Sequence, residues 1–176
     1  MNRQRWIFAG TALVIVIADI LTKWIVVSNF RLHEVRQVVG DYIRLTYIHN
    51  PGAAFGMFPG SRVALVTISI AAILVVVWVA WRRPAKRATV FALGLILGGA
   101  IGNLIDRIRL GEVVDFIQVG VPPHYWPVFN VADSGVTVGV VWLALEMAFG
   151  GRKTQEAPEL PAETTFGGVA PARDDG

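Results

Sequence analysis

The chain has 176 residues, 54% of them hydrophobic and 16% charged, with a formal net charge of +3 and no cysteine. Absence of cysteine excludes disulfides, thiolate metal sites and thiol nucleophiles together, and the three histidines, His33, His49 and His124, have no ligand-like spacing, so neither a metal nor a cofactor is expected. The positive residues sit in short clusters beside apolar runs, which reads as a membrane topology signal and argues against a nucleic-acid surface.

Bilayer hydrocarbon about 30 Å thick is crossed by about 20 helical residues, and four runs meet that length. The first is Trp6–Val27, preceded by Arg3 and Arg5. It exceeds the roughly 7–15 apolar residues of a cleavable signal core, contains Asp19 and Lys23, and has no small-x-small site at its end, so it is expected to remain as a span. Asp19 and Lys23 stand four apart on one helix face. They read either as an inward-pointing polar pair or as a helix-end pair whose lysine snorkels to the interface.

Between the first and second spans the pattern changes. Tyr42 to Ile48 alternates in the manner of a half-buried strand, and Asn50-Pro51-Gly52 reads as a turn. A hairpin alone is marginal, so residues 29–61 are expected to form a small extracytoplasmic β-element resting on the bundle or the membrane interface. The second span, Arg62–Trp81, runs into the basic link Arg82, Arg83, Lys86 and Arg87. The third, Ala88–Ile105, carries Gly98, Gly99 and Gly102, which permit close approach of another helix, followed by Asn103, Asp106 and Arg107 at helical spacing. A local Asp106–Arg107 pair would fix that helix end, but Asn103 inside an apolar span needs partners of its own.

Asp115 follows in Val113-Val114-Asp115-Phe116-Ile117, where apolar neighbours draw the carboxylate toward the membrane boundary and raise its pKa by desolvation. The fourth span, Phe129–Phe149, opens with Asn130 and Asp133, and an acid there is either a helix cap or a functional group. Arg152 and Lys153 come after it. The basic residues place both termini in the cytoplasm and the two longer connections outside. From about Gly150 large apolar residues nearly vanish, so residues 1–150 are expected to be the membrane domain and 151–176 a disordered cytoplasmic tail. The expected fold is an all-α membrane protein of four transmembrane helices with a small extracytoplasmic β-element.

This topology brings Asp115 and Asp133 to the same membrane level. Two close carboxylates resist simultaneous ionisation and can share one proton, one acting as base and the other as acid. Such a pair suits hydrolysis of a peptide by an activated water.

With these residues in view, the chain resembles the lipoprotein signal peptidase family, also called signal peptidase II. The resemblance rests on Asp19-Ile20-Leu21-Thr22-Lys23, Asn50-Pro51-Gly52-Ala53-Ala54-Phe55-Gly56, Gly98-Gly99-Ala100-Ile101-Gly102-Asn103-Leu104-Ile105-Asp106-Arg107, Val114-Asp115-Phe116-Ile117 and Phe129-Asn130-Val131-Ala132-Asp133. Their order spans all four helices. The resemblance implies an aspartic endopeptidase of the bacterial inner membrane that removes signal peptides from diacylglyceryl-modified prolipoproteins immediately before the lipidated cysteine. It implies a catalytic pair of Asp115 and Asp133, with Asp19, Lys23, Asn50, Asn103, Arg107 and Asn130 lining or supporting the substrate site. It further implies a β-cradle at about residues 29–58 on the outer leaflet, contact with membrane lipids and inhibition by globomycin. Ile20 departs from the glutamine that the family often has there. The alternative is a small polytopic transporter, which would distribute its polar groups through the membrane depth; in this chain they gather in the outer half.

Overall fold

The computed structural model describes residues 3–52, 62–82 and 86–149. Those residues form four long helices, α1 (Arg3–Asn29), α2 (Arg62–Arg82), α3 (Arg87–Arg109) and α4 (Val131–Phe149), each long and apolar enough to cross a membrane. Four short strands, β1 (Val35–Val39), β2 (Ile43–Asn50), β3 (Val113–Val121) and β4 (His124–Tyr125), lie in the two connections at one end of the bundle. The expected tail, 151–176, and the motif residues 53–56 lie outside the described residues.

Helix α3 is the centre of the bundle and packs against α1, α2 and α4. Its sequence explains why: glycines and alanine recur through Gly94, Gly98, Gly99, Ala100 and Gly102, and small residues let backbones approach where lipid supplies no hydrophobic drive between helices. A Cβ on Gly99 would collide with the Ala132 carbonyl oxygen and stand 2.7 Å from Val136 Cγ2, so any side chain there pushes α3 and α4 apart. Gly99→Ala is therefore expected to cost about 1–3 kcal/mol, the usual price of overpacking, whereas Gly10→Ala, with nothing within 4 Å of the new methyl, should be neutral. Thermal unfolding in detergent checks this, and equal midpoints for wild type and Gly99→Ala would count against the packing.

Phe8 and Ala12 of α1 meet Val90, Leu93 and Leu97 of α3 in the apolar core, with Ile73, Val76 and Val77 of α2 against them. Thr89 Oγ1 donates to Glu146 Oε2 at 2.8 Å, tying the start of α3 to the end of α4. At the opposite end Arg62 donates to the Ile108 carbonyl, so α2 begins where α3 finishes. Outward positions are large and apolar, including Trp6, Val14 and Trp24 on α1 and Val63, Leu74 and Trp81 on α2. They suit a lipid surround.

The strands form one antiparallel order, β1-β2-β3-β4. The β-element is thus not confined to residues 29–61, because its second half comes from the connection between α3 and α4. Val113 to Phe116 is buried throughout, and a strand buried on both faces reads as a continuous apolar run without the alternation that signals an exposed one. Helix bounds also differ from expectation: α3 continues to Arg109, and α4 starts at Val131 because Asn130 caps it.

Candidate active site

Lys23 organises the end of the bundle that carries the strands. Its Nζ lies 2.7 Å from Asp19 Oδ2 and 2.8 Å from Asp106 Oδ2, and it donates to Asn103 Oδ1 at 3.2 Å. The ammonium thus has one hydrogen-bond acceptor and two counter-ions around it, surroundings under which a charge is tolerated in a buried position. The residue is 5% exposed, so the snorkelling reading is set aside. Asp19 is fully buried, and its Oδ1 accepts the Ala132 N–H at 2.9 Å, capping the first turn of α4 from a different helix. A Cβ on Gly102 would stand 2.6 Å from Asp19 Oδ2, so glycine there makes room for the carboxylate. Ile20 is exposed on the other side of α1.

Asp106 does not form the local pair expected with Arg107. It faces Lys23 instead, and the same Oδ2 accepts the Val114 N–H at 3.2 Å, latching β3 to the bundle. Sequence reasoning left Asp106 out of the site. The available signal was Lys23 itself, since a buried lysine needs more than one carboxylate's worth of acceptors.

Asn103 carries this order onward. Its Oδ1 accepts from Lys23 and from Asn130 Nδ2 at 3.1 Å, which obliges its own Nδ2 to point the other way, to Asp133 Oδ1 at 2.7 Å. Asn130 and Asp133 form a reciprocal capping box: the Asp133 N–H donates to Asn130 Oδ1 at 2.9 Å, and the Asn130 N–H donates to Asp133 Oδ2 at 3.2 Å. Asp133, expected from sequence to be either a cap or a functional group, is a cap in this fold. Asn130 Nδ2 also donates to Asp115 Oδ1 at 2.7 Å and to the Val114 carbonyl at 3.2 Å. One asparagine thus touches both carboxylates.

Asp115 is 1% exposed, whereas Asp133 is half-buried. Asn50 Nδ2 donates to Asp115 Oδ2 at 2.9 Å, and Asn50 Oδ1 accepts the Gly52 N–H at 3.0 Å, an Asx turn where the sequence suggested one. Burial pushes the Asp115 carboxyl up to about 7; the Asn50 hydrogen bond opposes this, the Asp133 charge adds to it, and Lys23 and Asn130 oppose it. Arg107 Nη1 lies 3.4 Å from Ser69 Oγ, and its charge acts on Asp133 and Asp115. Its buried Nε has no hydrogen-bond partner among the described residues. All eight site residues expected from sequence, Asp19, Lys23, Asn50, Asn103, Arg107, Asp115, Asn130 and Asp133, fall in this one region.

The fold and site define a polytopic membrane protein with a carboxylate-centred polar site confined to one end of its bundle. The chain belongs to the signal peptidase II family: the profile described as signal peptidase (SPase) II matches residues 11–149. It is 40% identical over 154 residues to the lipoprotein signal peptidase of Syntrophus aciditrophicus (strain SB), covering 84% of this chain and 95% of that one. It is 44% identical over 138 residues to the lipoprotein signal peptidase of Syntrophotalea carbinolica, covering 76% and 86%. A solved structure of a bacterial membrane enzyme superposes with a TM-score of 0.79 at 30% identity, covering 85% of this chain and 92% of that one. The protein is accordingly a membrane peptidase of the kind that processes lipoproteins.

Proposed function

We propose that this chain is an aspartic endopeptidase that cleaves diacylglyceryl-modified prolipoproteins immediately before the lipidated cysteine, with Asp115 and Asp133 as its catalytic pair. The observation that carries the reading is the bracketing of both carboxylates by Asn130. Asp115, held near neutrality by burial, carries the shared proton and presents it to the scissile carbonyl. Asp133 takes a proton from the attacking water and then gives it to the leaving amine, so no covalent enzyme intermediate forms. Asn103 and Asn130 hold Asp133 in place, Asn50 holds Asp115, and the Lys23 cluster fixes Asn103. Arg107 supports the site through its charge, which acts on both Asp133 and Asp115.

The basic residues Arg3 and Arg5 in the first turn of α1, Arg82 at the end of α2 and Lys86 just before α3 support cytoplasmic termini. The site then lies near the outer leaflet of the bacterial inner membrane, with the strands as a cradle for the lipid-bearing peptide. Globomycin would compete for this site, and membrane lipids would surround the apolar helix faces.

The test is cleavage by purified protein of one prolipoprotein with and without its diacylglyceryl group, followed across pH. Only the lipidated form is expected to be cut, in a globomycin-sensitive manner. The rate should fall as pH rises through about 7, because Asp115 then loses the proton that the carbonyl needs. The two apparent ionisations belong to the pair. Equal cleavage of the unlipidated form, or a rate that keeps climbing above neutrality, would overturn the proposal.

A further inference from the structure

On the face of the sheet opposite Asn50 and Asp115 lies a hydrogen-bonded chain that the hydrolytic reading does not use. Tyr47 Oη is 2.7 Å from His49 Nε2, and His49 Nδ1 is 3.0 Å from Glu112 Oε2. An ionised Glu112 can only accept, so Nδ1 carries the hydrogen, and in the neutral imidazole Nε2 then accepts from the tyrosine hydroxyl. Every member is satisfied with a neutral imidazole. The chain joins the end of β2 to the turn that leads from α3 into β3.

Its position matters because of an irregularity just before it. Leu45 pairs with Ile117 but Ile48 pairs with Asp115, so β2 advances three residues while β3 advances two. Beyond such a bulge the register must be set again, and a slip of one residue turns every side chain to the other face. Apolar patterning cannot set it here, since Val113 to Phe116 is buried on both faces. Yet the register decides function: Asn50, the last residue of β2, pairs with Val113 and so reaches Asp115 Oδ2. His49 precedes it and points to the opposite face, toward Glu112.

The geometry points to Tyr47–His49–Glu112 as a register lock that keeps Asn50 on Asp115, making His49 and Glu112 positioning residues for hydrolysis. The inference rests on the proposed catalytic role of Asp115. Neither residue touches the reacting atoms, and their effect passes through Asn50.

The experiment compares His49→Phe, Glu112→Ala, Glu112→Gln and Asn50→Ala in the cleavage assay, with thermal unfolding recorded for each. His49→Phe and Glu112→Ala are expected to lower kcat by roughly tenfold to a hundredfold, the penalty of a misplaced catalytic group, with KM little changed. They should also move the alkaline limb of the pH profile upward, because Asp115 loses the hydrogen bond that restrains its proton affinity. Asn50→Ala should give the same upward shift, and His49→Phe added to it should cost nothing further. Glu112→Gln keeps an acceptor for Nδ1 and should stay near wild type. Wild-type kcat and pH limb in both His49→Phe and Glu112→Ala, or full additivity with Asn50→Ala, would overturn the lock. If His49→Phe does not fold, the contrast between Glu112→Ala and Glu112→Gln decides alone. Asp115→Asn separates the two ideas: cleavage surviving in that variant defeats the catalytic reading, whereas its loss beside unaffected lock variants defeats only the lock.

Discussion

Asp115→Asn and Asp133→Asn are each expected to reduce cleavage of a lipidated prolipoprotein by at least about 1,000-fold, since residues that act as one catalytic unit lose nearly everything when either member goes. The geometry makes the two substitutions informative in different ways. At Asp133 both oxygens accept N–H donors, from Asn103 Nδ2 and the Asn130 backbone, so an asparagine must turn its own NH2 toward one of them. The capping contribution lost is about 1 kcal/mol, small enough for the helix to persist. At Asp115 the control comes from linkage. Its folded-state pKa is raised to about 7 by burial, so the stability it contributes is fully present below the ordinary carboxylate range and is lost as pH rises through about 7. Unfolding midpoints of the wild type should therefore decline across that window, while those of Asp115→Asn should not show that decline. Cleavage persisting in either folded variant would remove the pair from the mechanism.

The spans, the pairing of Asp19 with Lys23 and the convergence of Asp115 with Asp133 were all legible in the sequence, for one reason. Charged and amide side chains are so costly beside hydrocarbon that their positions stand out against the apolar background. The strand carrying Asp115 was not legible, because Val113-Val114-Asp115-Phe116-Ile117 is apolar on both faces and offers no period of two. Partner choice was also hidden. Asp106 stands beside Arg107 in sequence yet meets Lys23 of another helix, 2.8 Å away, and only the close approach of α1 to α3 decides between them. The lock around His49 escaped for a related reason: histidine spacing was read for metal ligands, while its partner Glu112 is distant in sequence and meets it only through the β2–β3 register.

Lys23→Met is expected to be the most destabilising single change in the strand-bearing half of the bundle, at about 3–5 kcal/mol, because it strands buried charge without a counter-ion. Asp19 Oδ2 and Asp106 Oδ2 both lose their ammonium, and Asn103 Oδ1 loses one of two donors. The damage reaches the site by two routes. Asp106 repelled from Asp19 no longer holds the Val114 N–H, which loosens the strand that carries Asp115. Asn103, no longer oriented by a cation, is free to turn its amide away from Asp133. Adding Asp19→Asn and Asp106→Asn to Lys23→Met removes the stranded charge and should recover much of the unfolding midpoint, since a buried ionic cluster replaced as a whole costs less than one broken. Activity should recover less than stability, because the neutral triple variant still lacks the cation that orients Asn103. A Lys23→Met protein that melts like wild type would show that the cluster contributes nothing to the fold, and full activity in the triple variant would show that Asn103 needs no cation to serve Asp133.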